Sequence, residues 1–374
     1  MVSDFSSEKK PSANSATSTT VSESEPRPSL QMNGPGRIVT DEEETADEGI
    51  KRCMEKASKS LEKLQPGQLE LVKTLQEAVR NHGRVDLMKE IKTGKFMAVK
   101  RMPTSWVRGS QDEFLKAHPN SSELPWFDVG LVNYLESRGF PYLCESKGMF
   151  KDESHTYVAA NFASGGDLFA WCDRGPTLGP EREAEMRPMV RQFLSATCWL
   201  HELGIGHRDL SLENILLTTD ERGSNVVKLI DFGMATTKRR CVNENRGKQS
   251  YQAPEMHIGK MSYDCFYQDC FSLGVTIFGM AAADYPWYAT RNGKCQLWDF
   301  YCQRGLQAFL ERRKARKGNL KLVEVFSPSL IDLLVGMVEI LPEDRLTLGE
   351  SVFDVELGDK HKSVWDNDWL HEFN

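Results

Sequence analysis

Hydrophobic and polar positions change rhythm twice along the chain. Residues 1–49 are rich in Ser, Thr, Glu and Pro and hold almost no large apolar side chains, so they cannot bury enough surface to offset ordering entropy and predict a disordered tail. From Gln68 onward, LELVKTL, GRVDLMKE and KFMAVKRM alternate apolar and polar positions in short punctuated runs, which predicts antiparallel strands; HTYVAANF at 155–162 predicts another. Between them, PWFDVGLVNYLES at 125–137 sets Val129, Leu131, Val132 and Leu135 at helical spacing. Past Gly165–Gly166 the rhythm becomes helical. A long amphipathic segment covers 181–203, VVKLIDF reads as a strand, and helices are expected around 270–283, 327–341 and 345–353. The organisation expected is a tail over 1–49, a linker helix over 50–65, a strand-rich lobe over 66–163, a helical lobe over 164–353 and an extension over 354–374. No internal repeat interrupts it.

Charge sharpens the division. Residues 1–49 carry ten Asp/Glu against four Lys/Arg, a net of −6 out of −7, leaving the rest near neutrality. That balance argues against a general nucleic-acid or membrane-surface binder. Nine scattered cysteines form no CxxC pair and fit a reducing compartment. The start, MVSDFSSEKK, lacks a basic-then-apolar leader, and CFSLGVTIFGMAAA at 270–283 is too short to span a bilayer, so an intracellular protein without membrane insertion is expected. The basic run RRKARK at 312–317 reads as a nuclear-import signal, as a docking surface for acidic partners, or as a solvated helix face ending at Gly318.

Four separated pieces carry chemistry: Gly83 and Val85 ahead of Lys100 in MAVK, HRDLSLEN at 207–214, IDFG around Asp231, and YQAPE at 251–255. With GGDLF at 165–169, DCFSLG at 269–274 and PEDRLTL at 342–348, their order and separations resemble the protein kinase superfamily over about residues 66–353. The resemblance implies an α+β, two-lobed kinase fold, ATP and Mg2+ as cofactors, and a protein substrate with a Ser/Thr acceptor. It places Lys100 on the nucleotide phosphates, Asp209 at the acceptor hydroxyl, and Asn214 and Asp231 on magnesium. It also implies a Glu255–Arg345 link and Asp269 bracing the catalytic loop. Tyrosine specificity is disfavoured by SLE between Leu210 and Asn214. The alternative is a pseudokinase acting as a nucleotide-binding scaffold; a small-molecule kinase is a third reading, weakened by the complete GKQSYQAPE segment.

Several positions depart from the family's pattern. Ala78 and Arg80 stand where the phosphate loop has glycines, in the stretch that includes Glu77; either Arg80 adds charge or the hairpin covers the nucleotide loosely. Asp128 stands where a helix normally presents glutamate to the strand lysine, with Glu123 as a rival. Ser211 replaces the catalytic-loop lysine and Lys248 replaces a threonine facing it. Either Lys248 supplies the missing cation, or it points to solvent and catalysis is impaired. Glu244 takes the place of an activating phosphothreonine and would pair with Arg208; Thr236 and Thr237 are rival phosphosites, and a solvated loop charge is the plain reading.

In the nucleotide pocket the resemblance gives Ala160 as a small gatekeeper, Asn161 and Ala163 as hinge hydrogen-bonding positions, Asp167 at the ribose, and Val85, Ala98 and Leu216 around the base. Asp167 and Glu213 occupy positions that accept arginines in basophilic kinases, so a basic-directed preference is expected, with Ser12 and Ser29 as candidate autophosphorylation sites. Cys241 in the activation segment is a lone thiol with redox potential only on paper. The oligomeric state stays open.

Overall fold

The computed structural model describes residues 44–79, 82–316, 319–358 and 362–372. The tail over 1–43 with Ser12 and Ser29, Arg80, and Lys317 at the end of the basic run lie outside them.

A helix, α1 (Ala46–Lys59), opens the described chain. It starts four residues before the expected linker helix because Thr45 and Glu48 form a reciprocal capping box, and it ends at Lys59 rather than 65 because the chain then extends into β1 (Glu62–Lys63). The sheet that follows contains β2 (Leu69–Ala78), β3 (Gly83–Glu90), β4 (Phe96–Pro103), β5 (Ser146–Lys151) and β6 (His155–Asn161) in the order β1-β5-β6-β4-β3-β2. Only the β1–β5 edge is parallel; the remaining pairs are antiparallel. Alternation along β4 splits its residues between two faces. Met97 and Val99 join Met88, Phe150, Tyr157 and Ala159 in one buried cluster, while Ala98 and Lys100 turn to the opposite face.

Two short helices that the apolar pattern did not reveal, α2 (Thr104–Val107) and α3 (Gln111–Ala117), lead into α4 (Pro125–Ser137). Trp126 and Val129 of α4 pack with Met102, Trp106, Phe114 and Met149. The other side of α4 takes α1, with Ile50, Cys53 and Ala57 buried. The two helices approach closely at glycines: a Cβ on Gly130 would collide with Met54, and one on Gly49 with the Tyr134 ring.

The second lobe contains a small sheet of β7 (Gly166–Asp167), β8 (Ile215–Thr219) and β9 (Asn225–Leu229) and a hairpin pair of β10 (Arg240–Val242) and β11 (Ser262–Asp264). Around them stand α5 (Leu168–Arg174), α6 (Pro180–Glu202), α7 (Cys265–Ala282), α8 (Gln296–Arg312, broken at Gly305), α9 (Leu322–Val325), α10 (Pro328–Met337) and α11 (Ser351–Leu357). Every residue of α7 is buried, which accounts for its continuous apolar run. The helix expected over 345–353 is displaced to α11, because Arg345 turns inward to bind Glu255 and Glu350 is buried against His201. The extension from 354 belongs to the core: Trp369 is fully buried, donates its indole N–H to Glu183, and lies under the Arg187 guanidinium. The fold is α+β with two lobes, an antiparallel-type sheet before Asn161 and helices after it. Among the described residues no helix is long and apolar enough to cross a membrane.

Candidate active site

Lys100 leaves β4 on the face that also carries Ala98, and meets two carboxylates: Asp231 Oδ1 at 3.2 Å and Asp128 Oδ2 at 3.6 Å. Burial disfavours the ammonium, but Asp231, Asp128 and Glu123 outweigh it and hold Lys100 protonated far above its ordinary range. Asp128 is shifted toward its neutral form. Burial, helped by the nearby Asp231 charge, raises its carboxyl against the pull of Lys100. Its second oxygen accepts the Phe232 amide N–H at 3.1 Å, and Leu124 N–H donates to Gly233 carbonyl at 3.0 Å, so the start of α4 is stitched to the turn after Asp231. Glu123 lies over that turn: a Cβ on Gly233 would meet its carboxylate oxygen and make that side chain shift.

Asp231 sits at φ 64 and ψ 66, a left-handed conformation uncommon for a residue with a side chain. Arg208 shares the anomaly at φ 68. Both are over-determined by neighbours. His207 donates from Nε2 to the Ile230 carbonyl at 3.2 Å, accepts the Asp209 amide at Nδ1, and packs its ring 4.9 Å from Phe232. Asp269 on α7 receives the amides of His207 (2.7 Å) and Arg208 (2.8 Å). Beneath it, His201 is sandwiched between Asp269 at 3.1 Å and Glu350 at 2.5 Å; these bonds overcome burial and raise the imidazole to about 9.

Asn214 spends its side-chain N–H groups on the Asp209 carbonyl (2.7 Å) and carboxylate (3.2 Å). Its amide oxygen remains a hard oxygen donor, the kind that suits magnesium together with a carboxylate such as that of Asp231. Among the described residues no three His, Cys, Asp or Glu side chains converge as a self-contained metal cage, so further oxygens would come from phosphate and water.

The segment from Asp231 to Glu255 crosses in front of this loop. Gly247, at φ 79, passes so close to the Arg208 carbonyl that a Cβ would clash there. Lys248 then points back: its Nζ donates to Ser211 Oγ at 2.6 Å and lies 2.9 Å from Glu213 Oε2. The structure thus brings Lys248, Ser211 and Glu213 together, and Glu213, expected to receive substrate arginines, already has a cation. A lysine opposite the S-x-E spacing was the only signal in the sequence for that pair. Glu244 Oε2 accepts from Arg208 at 2.7 Å; burial opposes ionisation, but the guanidinium wins and holds the carboxyl below its usual range. Tyr251 OH accepts the Leu212 amide, and Glu255 makes a two-pronged bond to Arg345 at 2.7 and 3.0 Å.

On the opposite side, Ala98 and Ala160 are cross-strand partners, and Val85 pairs with Lys100. All are partly exposed, as is Leu216 across from them. Asn161 gives its backbone N–H to the Glu145 carbonyl at 2.9 Å, and Ala163 close by is buried. Asp167 caps α5 by accepting the Ala170 amide at 2.7 Å. Glu77 and Ala78 end β2 opposite Arg84 and Gly83. Gly83 has a packing role: a Cβ there would collide with the Arg101 carbonyl of β4.

Comparison with known proteins places this geometry. The family model described as the protein kinase domain matches residues 81–355. Similar curated proteins include a CBL-interacting serine/threonine-protein kinase 13 from Arabidopsis thaliana, 28% identical over 224 residues, covering 59% of this chain and 40% of that protein. The serine/threonine-protein kinase grp of Drosophila melanogaster is 32% identical over 223 residues, covering 58% and 38%. The mitosis inducer protein kinase cdr1 of Schizosaccharomyces pombe is 27% identical over 271 residues, covering 71% and 38%. The matched part spans about two fifths of each of these relatives.

Proposed function

The chain belongs to the protein kinase family, and from that premise we propose that it transfers the γ-phosphate of ATP to serine or threonine hydroxyls of protein substrates. The observation that carries this reading is the closed set Lys100–Asp128–Asp231, with Asp128 also fixing the Phe232 amide. That arrangement leaves Lys100 poised for phosphate oxygens and turns Asp231 toward the same space as Asn214. Catalysis by such a site is mostly positioning and charge stabilisation.

Asp209, held by Asn214 and by the braced backbone of His207–Arg208, orients the acceptor hydroxyl and takes its proton as the bond to phosphorus forms. Lys248, reaching over Ser211, supplies the cation that the catalytic loop lacks. Magnesium, held by Asn214 and Asp231, would neutralise charge on the phosphate oxygens. Ala98, Val85, Leu216 and Ala160 would offer the adenine apolar contacts, and a side chain as small as Ala160 would leave room behind the base.

The preference for basic residues drawn from Asp167 and Glu213 does not carry forward. Glu213 would have to release Lys248 to bind a substrate arginine, and Asp167 has one oxygen committed to α5. The reading is of a serine/threonine kinase without a strong arginine requirement.

The deciding measurement is transfer from radiolabelled ATP to a generic protein substrate, alongside binding of a fluorescent ATP analogue. Wild type should transfer, and Asp209→Asn should bind nucleotide but not transfer. Equal labelling by both proteins, or nucleotide binding without transfer by wild type, would overturn the proposal.

A further inference from the structure

Cys241 looks isolated in the sequence, but the fold gives it a partner. β10 pairs antiparallel with β11, placing Cys241 opposite Tyr263. Side chains along a strand alternate faces, so the residue two beyond Tyr263 returns to the Cys241 side. That residue is Cys265, whose amide continues the ladder by donating to the Arg239 carbonyl at 2.9 Å. The two sulfurs lie 3.4 and 3.6 Å from one acceptor, the Lys238 carbonyl. Both thiols thus converge on the same carbonyl from one side of the strand pair.

Their surroundings make them unequal. The neighbouring Cys265 thiol, aided by the Arg208 guanidinium, holds the Cys241 thiol below its ordinary range despite burial, whereas Cys241 and burial push Cys265 up. An ionisable nucleophile thus stands against a protonated resolving thiol, the asymmetry that thiol–disulfide chemistry uses. Both are free, buried thiols, Cys241 in a strand whose neighbouring residues Arg240 and Val242 are exposed.

We propose that Cys241 and Cys265 form a peroxide-oxidisable pair whose reversible disulfide ties the activation segment to the start of α7. The Cys241 thiolate attacks one peroxide oxygen, the O–O bond breaks, and the departing hydroxide takes a proton to leave as water, giving a sulfenic acid. Cys265 sulfur then attacks that sulfur; the S–O bond breaks, and the hydroxyl leaves with the Cys265 proton as a second water. One peroxide is reduced by two electrons and two thiols become one disulfide. Because the cysteines sit diagonally across the strand pair, closing the bond draws backbone with it, and a strained disulfide of this kind is easily reduced. The movement reaches the catalytic loop. Gly206, directly before His207, rests against the Cys265 sulfur so tightly that a Cβ would collide with it. Oxidation therefore lowers phosphoryl transfer.

The test treats the full chain with hydrogen peroxide, digests it without reduction and maps the peptides by mass spectrometry. The expected product joins the Cys241 and Cys265 peptides with loss of two hydrogens, accompanied by a loss of transfer activity that dithiothreitol restores. Cys241→Ser should lack the joined peptide and keep its activity in peroxide; Cys265→Ser should leave Cys241 as a sulfenic acid trappable by dimedone. Peroxide that oxidises the exposed Cys302 without joining Cys241 to Cys265, or that joins Cys241 to a different cysteine, overturns the proposal. The joined peptide is read without any activity assay, so it stands or falls separately from the kinase reading.

Discussion

Lys248 Nζ lies 2.6 Å from Ser211 Oγ, so a cation from the activation segment stands over the catalytic-loop position where the family ordinarily carries lysine. The charge thus comes from the segment crossing the catalytic loop rather than from the loop itself. Glu213, 2.9 Å from the same nitrogen, keeps the long side chain from swinging out to water.

Replacing Lys248 by Ala should lower kcat by about 10²-fold with little change in KM for ATP, the usual cost of removing one group that stabilises developing charge. The double change Ser211→Lys with Lys248→Thr should recover most of the loss. Steady-state kinetics decide this; a single variant with wild-type kcat rules out a catalytic role for Lys248.

Glu244 should make the enzyme independent of an activating phosphate. Phosphatase treatment is expected to leave activity unchanged, whereas Glu244→Ala should reduce it about tenfold, a loss of ~1.4 kcal/mol in transition-state terms. Because Arg208 lowers the Glu244 carboxyl, the pair persists above the ordinary glutamate value of 4.5 and is lost only on acidification below it, so activity between neutral and mildly acidic pH should not report on this group. Activity that collapses after dephosphorylation would refute the substitution of carboxylate for phosphate.

Asp128→Asn should separate stability from activity. Burial and Asp231 raise the Asp128 carboxyl in the folded protein, so its ionised form costs stability near neutral pH. The amide should therefore melt at the same temperature or higher while turning over roughly tenfold more slowly, one lost charge contact of ~1.4 kcal/mol in the transition state. A thermal melt that drops together with activity would show Asp128 to be mainly structural.

His201 sets a pH limit on the large lobe. Its folded value of about 9 lies above the unfolded 6.5, so its stabilisation is complete below pH 6.5 and fades as pH rises through 9. Thermal melts should lose several degrees across that window, and His201→Asn should flatten the profile. An unchanged slope in the variant would exclude the histidine as its source.

Ala160 should govern inhibitor size. Ala160→Phe is expected to abolish binding of adenine analogues with bulky groups directed behind the base while leaving KM for ATP within a few fold. Competition titrations would expose the alternative, in which both proteins bind the bulky analogues equally.

Much of this site was legible because its chemistry is written in short local words. Lys100, Asp209, Asn214 and Asp231 each sit in a motif whose spacing fixes its strand or loop, and α4 announced itself by the spacing of Val129, Leu131 and Leu135. What stayed hidden depends on distant partners. That Glu213 is claimed by Lys248, that Cys241 faces Cys265, and that Gly83 serves the Arg101 carbonyl are products of strand crossing rather than of neighbouring residues. The shift of the last helix to α11 has the same origin: Arg345 and Glu350 are recruited inward by Glu255 and His201, and local helical rhythm gives no sign of it.

The family match begins at residue 81, yet α1, which lies wholly before it, is pressed through Ile50, Cys53 and Met54 against the helix that delivers Asp128 to Lys100. Asp47 of α1 also accepts a hydrogen bond from Thr237 at 3.2 Å, so the same short element grips the activation segment. A gene trimmed to the recognisable catalytic segment would discard its own splint, and any sluggishness measured in such a fragment would describe the trimming rather than the enzyme.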